Sequence, residues 1–170
     1  MWYVIQVIGG QECAVLRQIE QLADSTTYNA CFVPQYELKK NFRGVWKYCK
    51  KTLFPGYVFV DTKNPSNFRK ELWKVSRMTK LLRDGSEHFI PLTEEDKTII
   101  NAFVGNDDYV MKMSEGIVEG DKITILKGPL MGHSGLVKKI NRHKKIAFLK
   151  VSMFGREISL KAGLEIVKKS

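Results

Sequence analysis

Trp2-Tyr3-Val4-Ile5-Gln6-Val7-Ile8 is an aromatic, β-branched run and reads as a strand buried on both faces, which Gly9-Gly10 then breaks. Beyond the glycines, Val15, Leu16, Ile19, Leu22 and Ala23 recur at helical spacing between Gln11 and about Asp24, the apolar face of an amphipathic helix. Ala30-Cys31-Phe32-Val33 starts a second strand, which Pro34 pushes to a sheet edge. Leu53-Phe54-Pro55-Gly56-Tyr57-Val58-Phe59-Val60-Asp61 enters another core strand through a Pro-Gly turn. Asn64-Pro65-Ser66 opens a helix carrying Phe68, Leu72 and Val75. Met78 to Leu82 and His88-Phe89-Ile90 read as short strands about the turn Arg83-Asp84-Gly85-Ser86. Thr93 caps a third helix with Glu94, Glu95 and Asp96 in its first turn, running to about Val104. This order predicts an α+β fold over residues 1–104: a sandwich of helices against a mostly antiparallel sheet.

Residues 105–117 change character. Gly105-Asn106-Asp107-Asp108 and Ser114-Glu115-Gly116 are polar and turn-forming, and predict a linker. Five short strands then follow between glycines: Asp121–Leu126, Ser134–Ile140, Lys145–Val151, Arg156–Ser159 and Leu164–Val167. They predict a small five-stranded β-barrel over residues 118–170.

The chain has 170 residues, with 28 Lys and Arg against 18 Asp and Glu, a net charge of +10. By segment the surplus is +4 in residues 1–104, −2 in 105–117 and +8 in 118–170. Such a surface selects polyanions, nucleic acid first. The longest uncharged run, Met1 to Gln11, falls far short of the ~18–20 residues of a membrane span. It also lacks the basic segment of a secretory signal, so a cytoplasmic protein without membrane attachment is expected. Cys13, Cys31 and Cys49 form no Cys-x-x-Cys pair, which speaks against a disulfide framework and a zinc site. Cys13 and Cys31 are expected on core faces and Cys49 at the surface. His88, His133 and His143 lack metal-ligand spacing, so no metal or other cofactor is expected. Gly128, Gly132 and Gly135 do not fit a phosphate loop, and Gly132-His133-Ser134-Gly135 is one residue short of a nucleophile elbow. With no nucleophile and no acid/base pair, a binding protein rather than an enzyme is expected.

Two basic stretches are candidate nucleic-acid surfaces. In the first, Lys39, Lys40, Arg43, Lys47, Lys50 and Lys51 alternate loosely with Phe42, Trp46 and Tyr48 about Gly44. A long exposed hairpin of this composition suits phosphate contact and stacking on unpaired bases; a solvated ribbon with paired aromatics accounts for it equally well. The second is Lys138-Lys139-Ile140-Asn141-Arg142-His143-Lys144-Lys145, where Ile140 and Ile146 anchor two strands and Asn141 to Lys144 form the tip. Like charges this close repel, a cost that a polyanionic partner removes. Lys127, His133 and Lys150 border the same surface, and Arg156 either reaches it or bonds backbone carbonyls. Arg69, Lys70, Lys74, Arg77 and Lys80 surround the second helix, where an ordinary wet face explains them about as well as a nucleic acid does.

Two longer patterns go further. One is Trp2-Tyr3-Val4-Ile5-Gln6-Val7 with Phe54-Pro55-Gly56-Tyr57-Val58-Phe59-Val60. The other is Val118-Glu119-Gly120-Asp121, Gly128-Pro129-Leu130-Met131-Gly132-His133-Ser134-Gly135-Leu136-Val137 and Val151-Ser152-Met153-Phe154-Gly155-Arg156. Together they resemble the NusG family of transcription elongation factors, with an N-terminal NGN domain and a C-terminal KOW domain. Gly135 matches the KOW glycine. The basic character resembles the specialised antiterminators of the LoaP type. The resemblance implies a monomer that binds the clamp helices of the largest subunit of bacterial RNA polymerase through Phe54 and Tyr57, with Tyr3, Val7 and Ile8 lining the same surface. Trp2, Val4, Val58 and Val60 read as core. It implies a nascent RNA hairpin bound chiefly by the KOW domain, through Lys127, His133, Lys138, Lys139, Asn141, Arg142, His143, Lys144, Lys145 and Arg156. The basic hairpin adds contacts, and Ser76, Arg77 and Thr79 face the non-template DNA strand. Two readings stay open beside this one. One is a general elongation factor whose KOW domain binds Rho or a small-subunit ribosomal protein through Phe154 to Arg156; the other is a ribosome-associated protein on structured rRNA.

Overall fold

The computed structural model describes residues 1–78, 89–105 and 108–167. In chain order its strands are β1 (Trp2–Gln6), β2 (Ala30–Phe32), β3 (Gln35–Phe42), β4 (Val45–Thr52), β5 (Tyr57–Asp61) and β6 (Phe89–Pro91). They continue with β7 (Val110–Met111), β8 (Ser114–Glu119), β9 (Lys122–Lys127), β10 (Val137–Asn141), β11 (Ile146–Met153) and β12 (Arg156–Ile166). The helices are α1 (Glu12–Leu22), α2 (Pro65–Glu71) and α3 (Glu94–Phe103). No helix of the described residues is long and apolar enough to cross a membrane. The fold is α+β, and the chain packs as two compact units. One comprises Met1–Val33 with Phe54–Lys97, the other Pro34–Leu53 with Thr98–Ser170.

In the first unit, antiparallel strands run in the order β2-β5-β1-β6. Pro34 stops β2 from lengthening, and β2 lies at the sheet edge. Ile5, Val58 and Val60 from the sheet bury against Val15 and Ile19 of α1 and Phe68 of α2. These six side chains are half of a buried cluster that also takes in Leu72, Val75, Met78 and Phe89, each fully buried large one contributing about 1.5–3 kcal/mol. The N-terminus of α1 is built around a buried acid. Glu12 accepts the Gly10 amide through both oxygens, at 2.9 and 3.1 Å, and the Gly56 amide at 2.9 Å. The Val7 amide donates to the Gly56 carbonyl at 2.8 Å. The two glycine turns are thereby tied together beside β1. Thr93 and Asp96 cap α3 reciprocally: the Asp96 amide donates to Thr93 Oγ1 at 3.1 Å, and the Thr93 amide to Asp96 Oδ2 at 3.3 Å.

The second unit holds the basic hairpin. β3 and β4 pair from Gln35–Thr52 to Phe42–Val45 across a two-residue turn. Arg43 and Gly44 both have positive φ there, as a tight hairpin turn requires, and Asn41 Oδ1 accepts the Gly44 amide at 2.8 Å. β7 pairs in parallel with β3, burying Val110 and Met111 beside Tyr36 and Leu38. A five-stranded sheet, β10-β11-β12-β8-β9, curls as a half-barrel; only the β12–β8 pairing is parallel.

Several expectations are corrected. The strands expected at Arg156–Ser159 and Leu164–Val167 are one continuous β12 through Gly163. That glycine does not break the strand. The Glu37 carbonyl sits where its Cβ would be, so Gly163 serves close approach of β3. The fifth strand of the half-barrel is β8, which with β7 occupies much of the stretch read as linker. Ser114 is fully buried and its Oγ accepts the Leu130 amide at 3.1 Å. Gly128, at φ 105°, packs against the same serine, where a Cβ would lie 2.5 Å from its Cα. Ser134–Leu136 is a 3-10 turn, so β10 starts only at Val137. Cys13 and Leu22 are exposed, because Glu12, Val15 and Ile19 define the inward face of α1. Cys31 is intermediate and burial pushes its thiol up to about 12. Met78 is buried; the strand and turn read over 79–88 lie outside the described residues.

Candidate nucleic-acid interface

The sequence separates the two basic stretches by some ninety residues, whereas the fold brings them together in one unit. β3 passes over β12 at Gly163, beside the β10–β11 turn. Lys39 donates to Glu165 at 2.8 Å and Lys145 to the same carboxylate at 3.2 Å. The Lys145 ammonium also lies 4.7 Å from the centre of the Trp46 ring. Contact with Lys39 holds the Glu165 carboxyl below its usual range; burial opposes this, and Lys145 reinforces it. The bond to Glu165 holds the Lys39 ammonium above its own. Lys39, Trp46 and Lys145 thus fasten hairpin to half-barrel, and Glu165 offsets one of the two lysine charges.

Basic side chains facing solvent near this clasp include three groups. Arg142, His143 and Lys144 are exposed on the β10–β11 turn, which Asn141 closes by accepting the Lys144 amide at 2.9 Å. Arg43, Lys47 and Lys50 are exposed on the hairpin, along with Phe42 and Tyr48, the latter 62% accessible. On the hairpin face that carries Lys40 and Cys49, Lys51 meets Lys40. The Lys40 side chain first, then burial, and more weakly the Lys161 charge hold the Lys51 ammonium below its usual range, against the Cys49 thiol.

The third group lies on the outer face of the half-barrel. Ala147, Leu149, Val151 and Leu160 point inward along β11 and β12, so Phe148, Lys150 and Lys161 point outward. Register aligns Lys139 of β10, Phe148 of β11 and Lys161 of β12 in one transverse row. Both ammonium groups lie 5.8 Å from the Phe148 ring centre. Phe148 and Lys161 are not among the expected contact residues; the alternation Ile158-Ser159-Leu160-Lys161-Ala162 signals the outward direction of Lys161, whereas Phe148 sits in the apolar run Ile146–Leu149 and carries no such signal.

Other expected RNA contacts lie elsewhere. His133 packs edge-on against Phe103 at 5.6 Å, near the opposite end of β10 from the turn, about 15 Å away by strand rise. Arg156 starts β12 at the far end of β11, about 25 Å from that turn on the same reckoning, so the two do not share a surface. Lys127 pairs with Glu115 at 3.5 Å, one strand beyond the neighbour of Glu165. Lys138 donates to the Gly135 carbonyl at 3.3 Å, and Lys150 pairs with Glu157 at 3.5 Å.

In the first unit, Phe54 is 1% and Tyr57 6% accessible, with Phe54 packed 5.3 Å from the Phe59 ring. As core residues they offer a partner almost no surface. Ile8 is 47% accessible, Val7 is half-buried, and Tyr3 is half-buried and stacked on Phe89 at 4.7 Å. Gln18 reaches the other DNA candidates: its Nε2 donates to Ser76 Oγ at 3.1 Å, and its Oε1 accepts the Arg77 amide at 3.3 Å. Both residues are exposed; Thr79 lies outside the described residues.

A family model described as transcription termination factor nusG matches residues 1–118, and one described as KOW motif matches residues 119–151. The transcription termination/antitermination protein NusG of Campylobacter jejuni is 30% identical over 162 residues, covering 91% of this chain and 89% of the relative. That of Haemophilus influenzae is 28% identical over 160 residues, covering 91% and 86%. A solved structure on domain interaction in Thermotoga maritima NusG matches with a TM-score of 0.55 at 21% identity, covering 95% of this chain and 92% of that one, a likeness of fold.

Proposed function

The chain belongs to the NusG family of transcription termination/antitermination factors, and from that premise we propose that it is a specialised antiterminator of the LoaP type. It acts as a cytoplasmic monomer that binds RNA polymerase through residues 1–104 and a nascent leader RNA hairpin through the KOW segment, residues 118–170, together with the basic hairpin. One observation carries the reading. The unit containing β3, β4 and the half-barrel has 19 Lys and Arg against 8 Asp and Glu, a net +11, while the other unit has 9 against 10, a net −1. A general adaptor whose KOW domain binds Rho or a ribosomal protein through Phe154 to Arg156 has no need of such a surplus. Phosphates supply affinity along a surface like this, and exposed Arg142, Phe42 and Tyr48 supply stacking and base-edge contact at an RNA loop.

The mechanism is tethering without chemistry by the factor. Capture of the hairpin raises the local concentration of the first unit at the polymerase clamp helices. Ile8, with Val7 and Tyr3, is the exposed apolar anchor there, and Ser76 and Arg77 lie toward the non-template strand. Binding across the cleft favours the closed, elongating polymerase over paused and terminating states, a shift of population. The test is selection of leader RNAs from a randomised pool with the full chain, followed by gel shifts against the winner, an unrelated hairpin and Rho. A selected hairpin should bind tightly, with affinity falling about 10³-fold between 50 and 200 mM salt if six phosphates are contacted. Binding to Rho without preference for any structured RNA would overturn the reading.

A further inference from the structure

We propose that the RNA backbone lies across the outer face of the half-barrel, along the row Lys139–Phe148–Lys161, and continues onto Lys51 and Lys40 of the basic hairpin. This deepens the RNA-binding reading above and rests on it, but it moves the main contact surface from the β10–β11 turn to a sheet face. Three observations of geometry carry it. The row is fixed by strand register, so its two lysines stand about 10 Å apart at Cα, two strand spacings. Phe148 lies between them, and its π-face orders both ammonium groups before any ligand arrives. β3 crosses β12 at Gly163, two residues from Lys161, so the row abuts the hairpin. In support, Lys51 meets Lys40 there and also feels the Lys161 charge.

Repulsion among cations held in this way is relieved by a partner that brings several negative charges at short intervals, and a phosphodiester chain does so. Lys39 of β3 and Lys145 at the end of the β10–β11 turn are already occupied, sharing Glu165, whereas Lys144 of the turn stays exposed. The sheet row is not consumed by that clasp. Phe148 remains half-buried between its lysines and acts as an orienting plate.

The experiment uses the full chain and a fluorescein-labelled stem-loop RNA, the tightest from the selection above, titrated across a salt series. Lys161→Gln and Lys139→Gln should each weaken binding several-fold and lower the slope of log affinity against log salt by about 0.7–0.9, the loss of one phosphate contact. Phe148→Leu keeps both charges and the apolar bulk, and should weaken affinity with little change of slope. The turn double variant Arg142→Gln/Lys144→Gln is the comparison, and unchanged thermal midpoints show that the variants fold. Full loss in the turn variant with no change in Lys139→Gln or Lys161→Gln would overturn the sheet-face path and leave RNA binding intact. Wild-type chain that binds no stem-loop would overturn both. Equal loss of binding to phosphatidylglycerol vesicles, with RNA affinity unchanged, would assign the row to a membrane surface and overturn it as well.

Discussion

Glu12 shows how one side chain positions a surface. Burial raises its carboxyl pKa, but the amides of Gly56 and Gly10 outweigh this and hold it below the usual range. A folded-state pKa below the unfolded one stabilises the fold fully above the ordinary glutamate value near 4.3, and that stabilisation is lost as pH falls through the lowered value. Glu12→Gln should therefore lower stability by roughly 1–3 kcal/mol at pH 7, with the gap to wild type closing below about pH 4; thermal melts across pH 3–7 measure this. Phe54 and Ile8 separate packing from docking. Phe54→Ala should cost about 3–5 kcal/mol of stability, as removal of a core aromatic does. Ile8→Glu should leave the melting temperature within a degree or two and abolish binding to purified RNA polymerase. A destabilised Ile8→Glu protein, or one with full polymerase affinity, would contradict the assignment.

At the scale of the element, Gly163 decides whether the hairpin seats. A methyl group there collides with the Glu37 carbonyl, and Met113 Cγ lies 2.7 Å from the same point. Gly163→Ala should destabilise the second unit by about 1–3 kcal/mol and speed amide exchange in β3 and β4. Exchange unchanged in those strands would mean that the close approach carries little of the packing. The role of this glycine is also invisible in the local sequence. Local patterns locate β1 and β5 as continuous apolar runs, α1 as a one-sided helical periodicity and the hairpin as an alternation about Gly44, because each is written within one stretch of chain. In sequence, Gly163 reads as a break and the residues of β7 and most of β8 as linker. A parallel pairing such as β7 on β3 or β8 on β12 is made with strands distant in sequence and leaves no turn signature beside it. The same limit hid the site. The charges of Lys39 and Lys145 are visible in sequence, but their shared acid, Glu165, is 126 and 20 residues away.

At the scale of the molecule, the charge division makes recruitment a matter of concentration. With the RNA hairpin present, readthrough of a terminator should persist at factor concentrations well below the affinity of the first unit for polymerase. With that hairpin deleted from the template, readthrough should require 10²–10⁴ times more factor, the usual gain from linking two binding events. In vitro transcription over a factor titration measures the shift, and equal requirement on both templates would count against tethering. Insertion of the hairpin into the second unit has one further consequence, which falls on the ribosome. β3 and β4 are synthesised early, yet the strand beside them, β7, begins 58 residues after β4 ends, and Gly163 follows later still. At 5–20 residues per second the ribbon waits roughly 3–12 s, with Tyr36 and Leu38 uncovered, before its neighbour is made. During that interval like charge on the six cations of the ribbon disfavours its association with other nascent copies.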